Sequence, residues 1–262
     1  MPYAVVQKSL EPPSREQLEN AFHGIPGLAK VDAIILGRDA FGILVKGFSL
    51  ERATMLQTSL ASQGVETEVV DEAELPPLPQ FKNVNRLECT PEALVIYDPL
   101  NRSFSLEWKN VMLIAAGRVP MSEFKRVRTE AEAPAYDLSN LDRGYRQQPK
   151  ILVDYSSHEE RHERLMLEIV LTRAVLRYSI TADKVAHLLF QYLGERRTRD
   201  VLQNFTLLVQ DLTKYAPQAT VNRGAHFFRE NATEPFPYPS KNAFYEEIIW
   251  LLWKLKRASE PR

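Results

Sequence analysis

Residues 241–257 read KNAFYEEIIWLLWKLKR, and this stretch constrains how the rest of the chain can pack. Ser240 precedes it as a good helix N-cap, so the pattern predicts a helix. The apolar residues cover more than half of the helix circumference, which is wider than the stripe that one packing surface needs. They are Phe244, Tyr245, Ile248, Ile249, Trp250, Leu251, Leu252, Trp253 and Leu255. A second surface must therefore cover this helix.

Three kinds of surface would cover it. Docking between two domains of the same chain is the interpretation that we favour, because soluble proteins seldom leave so large an apolar face open. Contact with a protein partner or a second copy is one alternative, and contact with a membrane interface is the other. Glu246 and Glu247 argue against an anionic lipid surface. For a binding role, the candidate residues of this helix are Ile249, Trp250, Trp253, Lys254 and Arg257.

A proline-rich linker, Pro76-Pro77-Leu78-Pro79, marks the clearest domain boundary. We expect one domain at 1–79, a second at 80–224, and a proline-rich segment with the final helix at 225–262. The 33 basic and 34 acidic residues give a net charge of −1, which argues against bulk nucleic-acid binding. They divide unevenly, with 6 basic and 11 acidic residues before residue 80 and 27 and 23 after it. An acidic module thus precedes a mildly basic one.

The first domain is predicted to be a small α/β sandwich. Its order is β-α-α-β-α-β, with strands at 3–8, 42–48 and 65–70. The first helix begins at Ser14, with Gln17 as its capping-box partner, and the other two lie at 28–36 and 49–63. This order predicts a three-stranded sheet with helices on one face. The stretch from Gly42 to Val69 resembles the C-terminal domain of the bacterial ribosomal stalk protein and the related Clp-protease adaptor fold. The resemblance implies the fold only, because the lysine-rich helical surface of the stalk domain is absent.

The second domain is predicted to hold seven strands and one helix. Apolar runs between turn residues predict strands at 86–90, 93–98, 103–108, 111–119, 164–171, 174–180 and 187–193. Residues 120–163 lose this periodicity and are expected to form a long polar insertion with one short helix. An amphipathic helix, from residue 198 to Ala216, follows the last strand.

The join Ser105-Leu106-Glu107-Trp108-Lys109-Asn110-Val111 resembles the third-to-fourth strand join of bacterial pleckstrin-homology domains. The resemblance spans about residues 85–216, with the insertion at 120–163 excluded, and implies an antiparallel β-barrel with a capping helix. An immunoglobulin-like sandwich would also have seven strands, but the single final helix favours the pleckstrin-homology-like fold. The loop at 90–93 is short and acidic where phosphoinositide-binding members carry cations, so lipid head-group binding is not expected. The predicted fold class of the whole chain is α+β.

One catalytic pattern occurs at His158-Glu159-Glu160-Arg161-His162, which matches H-E-x-x-H. On a helix, His158 and His162 would face one zinc ion and Glu159 would act as a base. The segment is highly charged and runs into a predicted strand, so a solvated charged turn is the favoured interpretation. The catalytic alternative is a metal-dependent hydrolase.

A basic cluster follows the last predicted strand. Arg196, Arg197 and Arg199 could hold a phosphate or an acidic peptide, and they are candidate binding residues. The favoured interpretation is that the first two pair with Glu195 and Asp200 at the start of a helix.

The remaining composition narrows the function classes. No nucleotide-binding glycine motif occurs, and Cys89 is the only cysteine, so neither a disulfide within the chain nor a cysteine-rich zinc site is expected. Without a signal sequence or an apolar run of membrane length, we expect a cytoplasmic protein without integral membrane contact. We expect a non-enzymatic binding or scaffold protein without a cofactor, which contacts a protein partner or its own copy through the C-terminal helix. The alternatives are the hydrolase and a peripheral membrane protein.

Overall fold

The computed structural model describes the chain except residues 24, 27–33, 35–39, 85, 99, 133–150, 173–175, 183–187, 231–235 and 260–262. Only the backbone is described for 122–132 and 151–161. The fold is mixed α+β, as predicted. The helix expected at 28–36 lies outside the described residues, apart from Ile34.

The N-terminal sheet has three antiparallel strands in the order β2-β1-β3. They are β1 (Tyr3–Gln7), β2 (Ile43–Phe48) and β3 (Thr67–Asp71). Helices α1 (Arg15–His23) and α2 (Leu50–Ser62) pack on one face, where Val5, Phe22 and Leu56 join one core. The predicted capping box at α1 is confirmed: the Gln17 N–H donates to Ser14 Oγ at 3.1 Å, and the Ser14 N–H donates to Gln17 Oε1 at 2.8 Å.

Helix α5 (Lys241–Ser259) covers the second face of this sheet. The side chains of Ala4 and Val6 point to that face and are fully buried. Ile43, which pairs with Val6 across the sheet, is also buried. The expectation of helices on one face only is therefore wrong for this sheet. The apolar run Ala4-Val5-Val6 is typical of a strand that is buried on both sides.

Two further sheets and two helices share the larger core. The first sheet is antiparallel and has the order β5-β6-β7, with β5 (Arg86–Cys89), β6 (Ala93–Tyr97) and β7 (Ser103–Glu107). The second has the order β11-β8-β9-β10-β4, with β4 (Gln80–Asn83), β8 (Val111–Glu132), β9 (Ile151–Leu171), β10 (Leu176–Ala182) and β11 (Thr220–Val221). Helices α3 (Val201–Tyr215) and α4 (Arg223–Arg229) contribute Phe205 and Phe228 to the core that they share with these two sheets. Within the described residues no sheet closes into a barrel.

Several local predictions for this half are wrong. Residues 121–132 and 151–163 are strand, in β8 and β9, where irregular structure was expected. Residue 187 of the strand expected at 187–193 lies outside the described residues, and the rest forms a turn at 188–190 and the start of a 3-10 helix, Gln191–Arg196. Strand β4 was not predicted, because its four residues are all exposed and carry no apolar alternation.

Backbone contacts divide the chain into two compact units. One holds residues 1–120 and 164–262, and the other holds residues 121–163. The described backbone of the second unit belongs to β8 and β9. The domain boundaries expected at residues 79 and 224 stay predictions. No helix among the described residues has both the length and the apolar character that a bilayer crossing needs.

We expect Gly42→Ala to destabilise the protein more than Gly47→Ala does. Both glycines have positive φ, +72° and +77°, so each alanine has a strain of about 1–2 kcal/mol. A Cβ at residue 42 would lie 2.7 Å from Trp250 Cδ2, whereas one at residue 47 meets nothing within 4 Å. The clash should therefore add about 1–3 kcal/mol at residue 42. Urea unfolding measures both variants, and equal losses would contradict the close packing of Trp250 on Gly42.

Candidate functional site

The helix face that was predicted to bind a partner already contacts the chain itself. Trp250 is fully buried, and its indole N–H donates to the Gln7 carbonyl at 2.8 Å. The Lys254 ammonium donates to the Lys8 carbonyl at 2.7 Å. Trp253 is also buried, with the Arg257 guanidinium 5.0 Å from its ring. Docking of the helix within the chain is thus confirmed for both tryptophans.

The outer residues of α5 complete this contact. Arg257 forms an ion pair with Glu68 on β3, and Glu246 pairs with Lys46 on β2 at 3.2 Å. Ile249 remains partly exposed. Assembly of the protein through this helix stays a prediction.

The three arginines of the basic cluster, Arg196, Arg197 and Arg199, do not share one environment. Arg196 forms two hydrogen bonds to Asp211, at 3.0 and 2.7 Å, and these raise the pKa of its guanidinium. Asp211 is therefore its partner, and the expected pairing with Glu195 or Asp200 is wrong for Arg196. Among the described residues, Arg197 and Arg199 are exposed and make no ion pair.

Asp200 lies at the start of a helix, as expected, but it is not the partner of Arg196. Its side chain accepts a hydrogen bond from the Leu202 N–H at 2.9 Å and caps α3. A carboxylate at a helix N-terminus is stabilising, so this aspartate is used locally.

The H-E-x-x-H segment lies on strand β9, where neither the helix of the catalytic interpretation nor the expected turn is present. In a strand, the Cα atoms of residues four apart are about 13 Å from each other, so His158 and His162 lack the helical spacing for one zinc ion. His162 is exposed. In the part of the chain that is described, no group of three His, Cys, Asp or Glu could hold a metal ion.

A buried carboxylate on α5, Glu247, joins three segments. The Arg223 N–H donates to Oε1 at 2.8 Å, and the Arg223 Nε donates to Oε2 at 3.0 Å. The Tyr238 hydroxyl also donates to Oε2, at 2.8 Å. Burial and the nearby carboxylate raise the pKa of Tyr238 well above its ordinary value, so this hydroxyl stays a donor. Both carboxylate oxygens have donors, so the group holds the fold together.

Asn222 extends the same network and was missed by the sequence reasoning. It lies in an apparent Asn-Arg-Gly turn, but it caps α4 by accepting from the Ala225 N–H at 2.8 Å. The same oxygen accepts from the Ala116 N–H on β8, at 2.9 Å, and its amide donates to the Tyr238 hydroxyl at 2.7 Å. The available signal was the strong preference for Asn at helix N-caps.

A second buried charge lies on the five-stranded sheet. Glu168 on β9 forms an ion pair with Arg177 on β10 and accepts from the Ser179 hydroxyl at 2.9 Å. The Tyr245 hydroxyl on α5 also donates to it, at 3.3 Å. Burial raises the pKa of the Glu168 carboxyl, and Arg177 opposes this shift. This group, like Glu247, is bonded within the chain.

A cavity of about 480 Å³ lies between the β5-β6-β7 sheet and the five-stranded sheet. Its apolar lining comes from Val84, Ile96 and Tyr178, which are buried, and from Phe104 on β7. Its polar lining comes from Lys82, Asn83, Asp98 and Arg102. Cavities of about 300–1,000 Å³ with an apolar lining and a few polar groups are typical of binding sites.

Two exposed apolar side chains lie at this cavity. Phe104, which lines it, is 49 % exposed, and Leu100, in the β6–β7 turn that also supplies Asp98 and Arg102, is 73 % exposed. Phe81 on β4 is also exposed, but it lies on the opposite face of the sheet, 5.2 Å from the Arg177 guanidinium. Phe104, Leu100 and the cavity form what we call the apolar rim site. None of these residues was a predicted site residue, because the functional signal arises only when β4 and the β6–β7 turn are brought together.

The charges of the apolar rim site are unequally paired. Asp98 accepts from the Arg102 N–H at 2.8 Å and from the Arg102 guanidinium at 2.7 Å, which lowers the pKa of its carboxyl. Lys82 makes no ion pair with any described residue. The site therefore carries one uncompensated positive charge.

Comparison of the chain with family models, with curated proteins and with solved structures finds no match.

We expect Glu247→Gln to lower the free energy of unfolding by about 2–4 kcal/mol, because it leaves the Arg223 charge without its buried partner. The matched control is Glu246→Gln, whose carboxylate is more exposed and pairs with Lys46, and which should cost less than about 1 kcal/mol. Urea unfolding of both variants checks this. Equal losses would show that Glu247 is not the carboxylate that holds α5.

We expect the Cys89 thiol to react slowly in the native protein. Burial, aided by the Asp211 charge, raises its pKa to about 12, so little thiolate is present at pH 8. Iodoacetamide labelling followed by mass spectrometry should show slow modification that becomes fast in urea. Rapid labelling of the folded protein would contradict the burial of this thiol.

Proposed function

We propose that this protein is a non-enzymatic binding protein that acts through protein–protein contacts, with the apolar rim site as its binding surface. The observation that carries the proposal is an apolar cavity that is lined by the exposed side chain of Phe104 and adjoined by the exposed side chain of Leu100. Contiguous apolar surface of this kind is uncommon on proteins that do not associate.

The extent of the apolar surface favours a protein over a small molecule as the ligand. A small molecule inside the cavity would leave Leu100 in water, since this side chain does not line it. A protein segment can fill the cavity and cover Leu100 at the same time. Aromatic residues around a central pocket are also typical of the residues that contribute most to protein interfaces.

The buried polar groups support a non-enzymatic role. Glu247 and Glu168 both hydrogen-bond to neighbouring side chains within the fold. Arg196, the first of the basic cluster, is engaged by Asp211. Hydrolysis through His158 and His162 and peripheral membrane association stay predictions that no described contact favours.

We also propose that residues 85–216, without the segment 120–163, are an open relative of the pleckstrin-homology-like fold. What supports this is the packing of α3 against two sheets, with Phe205, Leu208 and Leu212 in the core that β5–β10 also line. A helix that covers the gap between two sheets is the arrangement that the resemblance implies.

The test is selection of nonapeptides from a random display library on the immobilised protein. We expect enriched peptides to bind Phe104→Ser about tenfold more weakly, because an aromatic side chain in the pocket is removed. The matched control is Met55→Ser, since Met55 is a large apolar residue that is 41 % exposed on α2, outside the site. Amide chemical shifts on peptide addition should change mainly around residues 80–84, 94–104 and 178.

Two results would overturn the proposal. One is a selection that enriches no peptide above a blank surface. The other is enrichment of peptides that bind Phe104→Ser as tightly as the unchanged protein.

A further inference from the structure

Strand β4 ends the five-stranded sheet and has an open edge. It pairs in parallel with β10, with Phe81 opposite Arg177 and Asn83 opposite Ser179, and no other described strand pairs with it. All four of its residues are exposed. An exposed strand edge offers unpaired N–H and C=O groups to another chain.

The register shows which groups face outward. The Val84 N–H donates to the Ser179 carbonyl at 3.0 Å, so Val84 and Lys82 direct their backbone groups toward β10. Because successive residues of a strand point their backbone groups to opposite sides, Phe81 and Asn83 direct theirs to the open edge. These two residues supply two donors and two acceptors for an added strand.

Lys82 gives this edge a charge preference. Its side chain lies on the same face as Tyr178, its partner in the register, and it lines the cavity. The other lining cation, Arg102, is bonded to Asp98. A carboxylate on a bound segment would therefore meet an ammonium group that no described residue neutralises.

We propose that an extended segment of a partner protein adds to β4 as a strand, with an apolar side chain in the cavity and an Asp or Glu carboxylate at Lys82. This inference rests on the proposed function and names the partner's chemistry. Main-chain hydrogen bonds supply affinity in this mode of recognition, and the pocket and the charge supply specificity.

A simpler role for Lys82 competes with this one. Lysines on edge strands also prevent two sheets from joining edge to edge. A lysine with only that role would affect self-association of the protein and leave peptide binding unchanged.

The experiment uses nonapeptides selected on the unchanged protein. We expect an apolar residue beside an acidic one in the enriched sequences. Lys82→Gln should weaken their binding about tenfold, whereas Lys82→Arg, which keeps the charge, should stay within about twofold. Raised salt should reduce the difference between the unchanged protein and Lys82→Gln.

A second pair of variants tests the added strand. Asn83→Pro removes the outward N–H and leaves the ladder to β10, since proline is tolerated at strand edges. It should weaken binding about tenfold, whereas Asn83→Ala, which keeps the N–H, should stay within about threefold. Circular dichroism and urea unfolding confirm that each variant is folded. Peptides N-methylated at alternate positions repeat the test on the unchanged protein, and one of the two sets of positions should abolish binding.

The outcomes separate this inference from the proposed function. Binding that is lost in Phe104→Ser but retained in Lys82→Gln and Asn83→Pro overturns strand addition and leaves the protein-binding function standing. Lys82→Gln that self-associates and binds the peptides normally shows that this lysine only protects the edge, which also overturns the inference. Failure of the selection itself overturns both.

Discussion

Helix α5 has an apolar surface that is too wide for one packing partner, and the fold supplies a sheet on each side. On one side Trp250 lies against Gly42 and Phe41, with its ring centroid 5.2 Å from that of Phe41. On the other side Tyr245 reaches Glu168 in the five-stranded sheet. Without α5, Ala4, Val6 and Ile43 would be exposed to water. Burial of Val6 and of Ile43 contributes about 1.5–3 kcal/mol each to the free energy of unfolding. The N-terminal sandwich therefore depends on a helix from the far end of the chain.

Buried charges fix the orientation of this helix. Hydrophobic packing tolerates small slips, because apolar contacts have little directional preference. Glu247 has no such tolerance, since a slip of one turn would leave a buried carboxylate without Arg223 and Tyr238. Arg223 is itself stacked on Phe41 at 3.5 Å, so the same side chain contacts both α5 and the N-terminal part of the chain. In this way a costly buried ion pair selects one arrangement of the segments around α5.

The elements with strong local signals were predictable from the sequence. Ser14, Ser49 and Ser240 all mark helix starts, and the apolar stripe of α3 at Phe205, Leu208 and Leu212 is buried as expected. The two-sided burial of α5 was also predictable, because helix circumference is a local property. The contacts that join distant segments were not: the Asn222 network depends on Ala116, which is 106 residues away along the chain. The apolar rim site was missed for the same reason, because no local pattern brings Lys82 and Val84 close to Phe104.

The position of β4 explains two observations: residues 188–193 do not form the predicted strand, and the five-stranded sheet ends in an open edge. A segment that follows β10 by a tight turn would normally pair with the free side of β10, opposite β9. That side is taken by β4, which arrives from the proline linker and is held where the Pro79 carbonyl accepts from Arg177 Nε at 3.0 Å. The apolar residues Leu189, Phe190 and Leu193 instead enter the core from a turn and a 3-10 helix. Because β4 comes from the linker and not from a hairpin, no described strand follows it at the sheet edge, and no described residue hydrogen-bonds to its outer backbone groups.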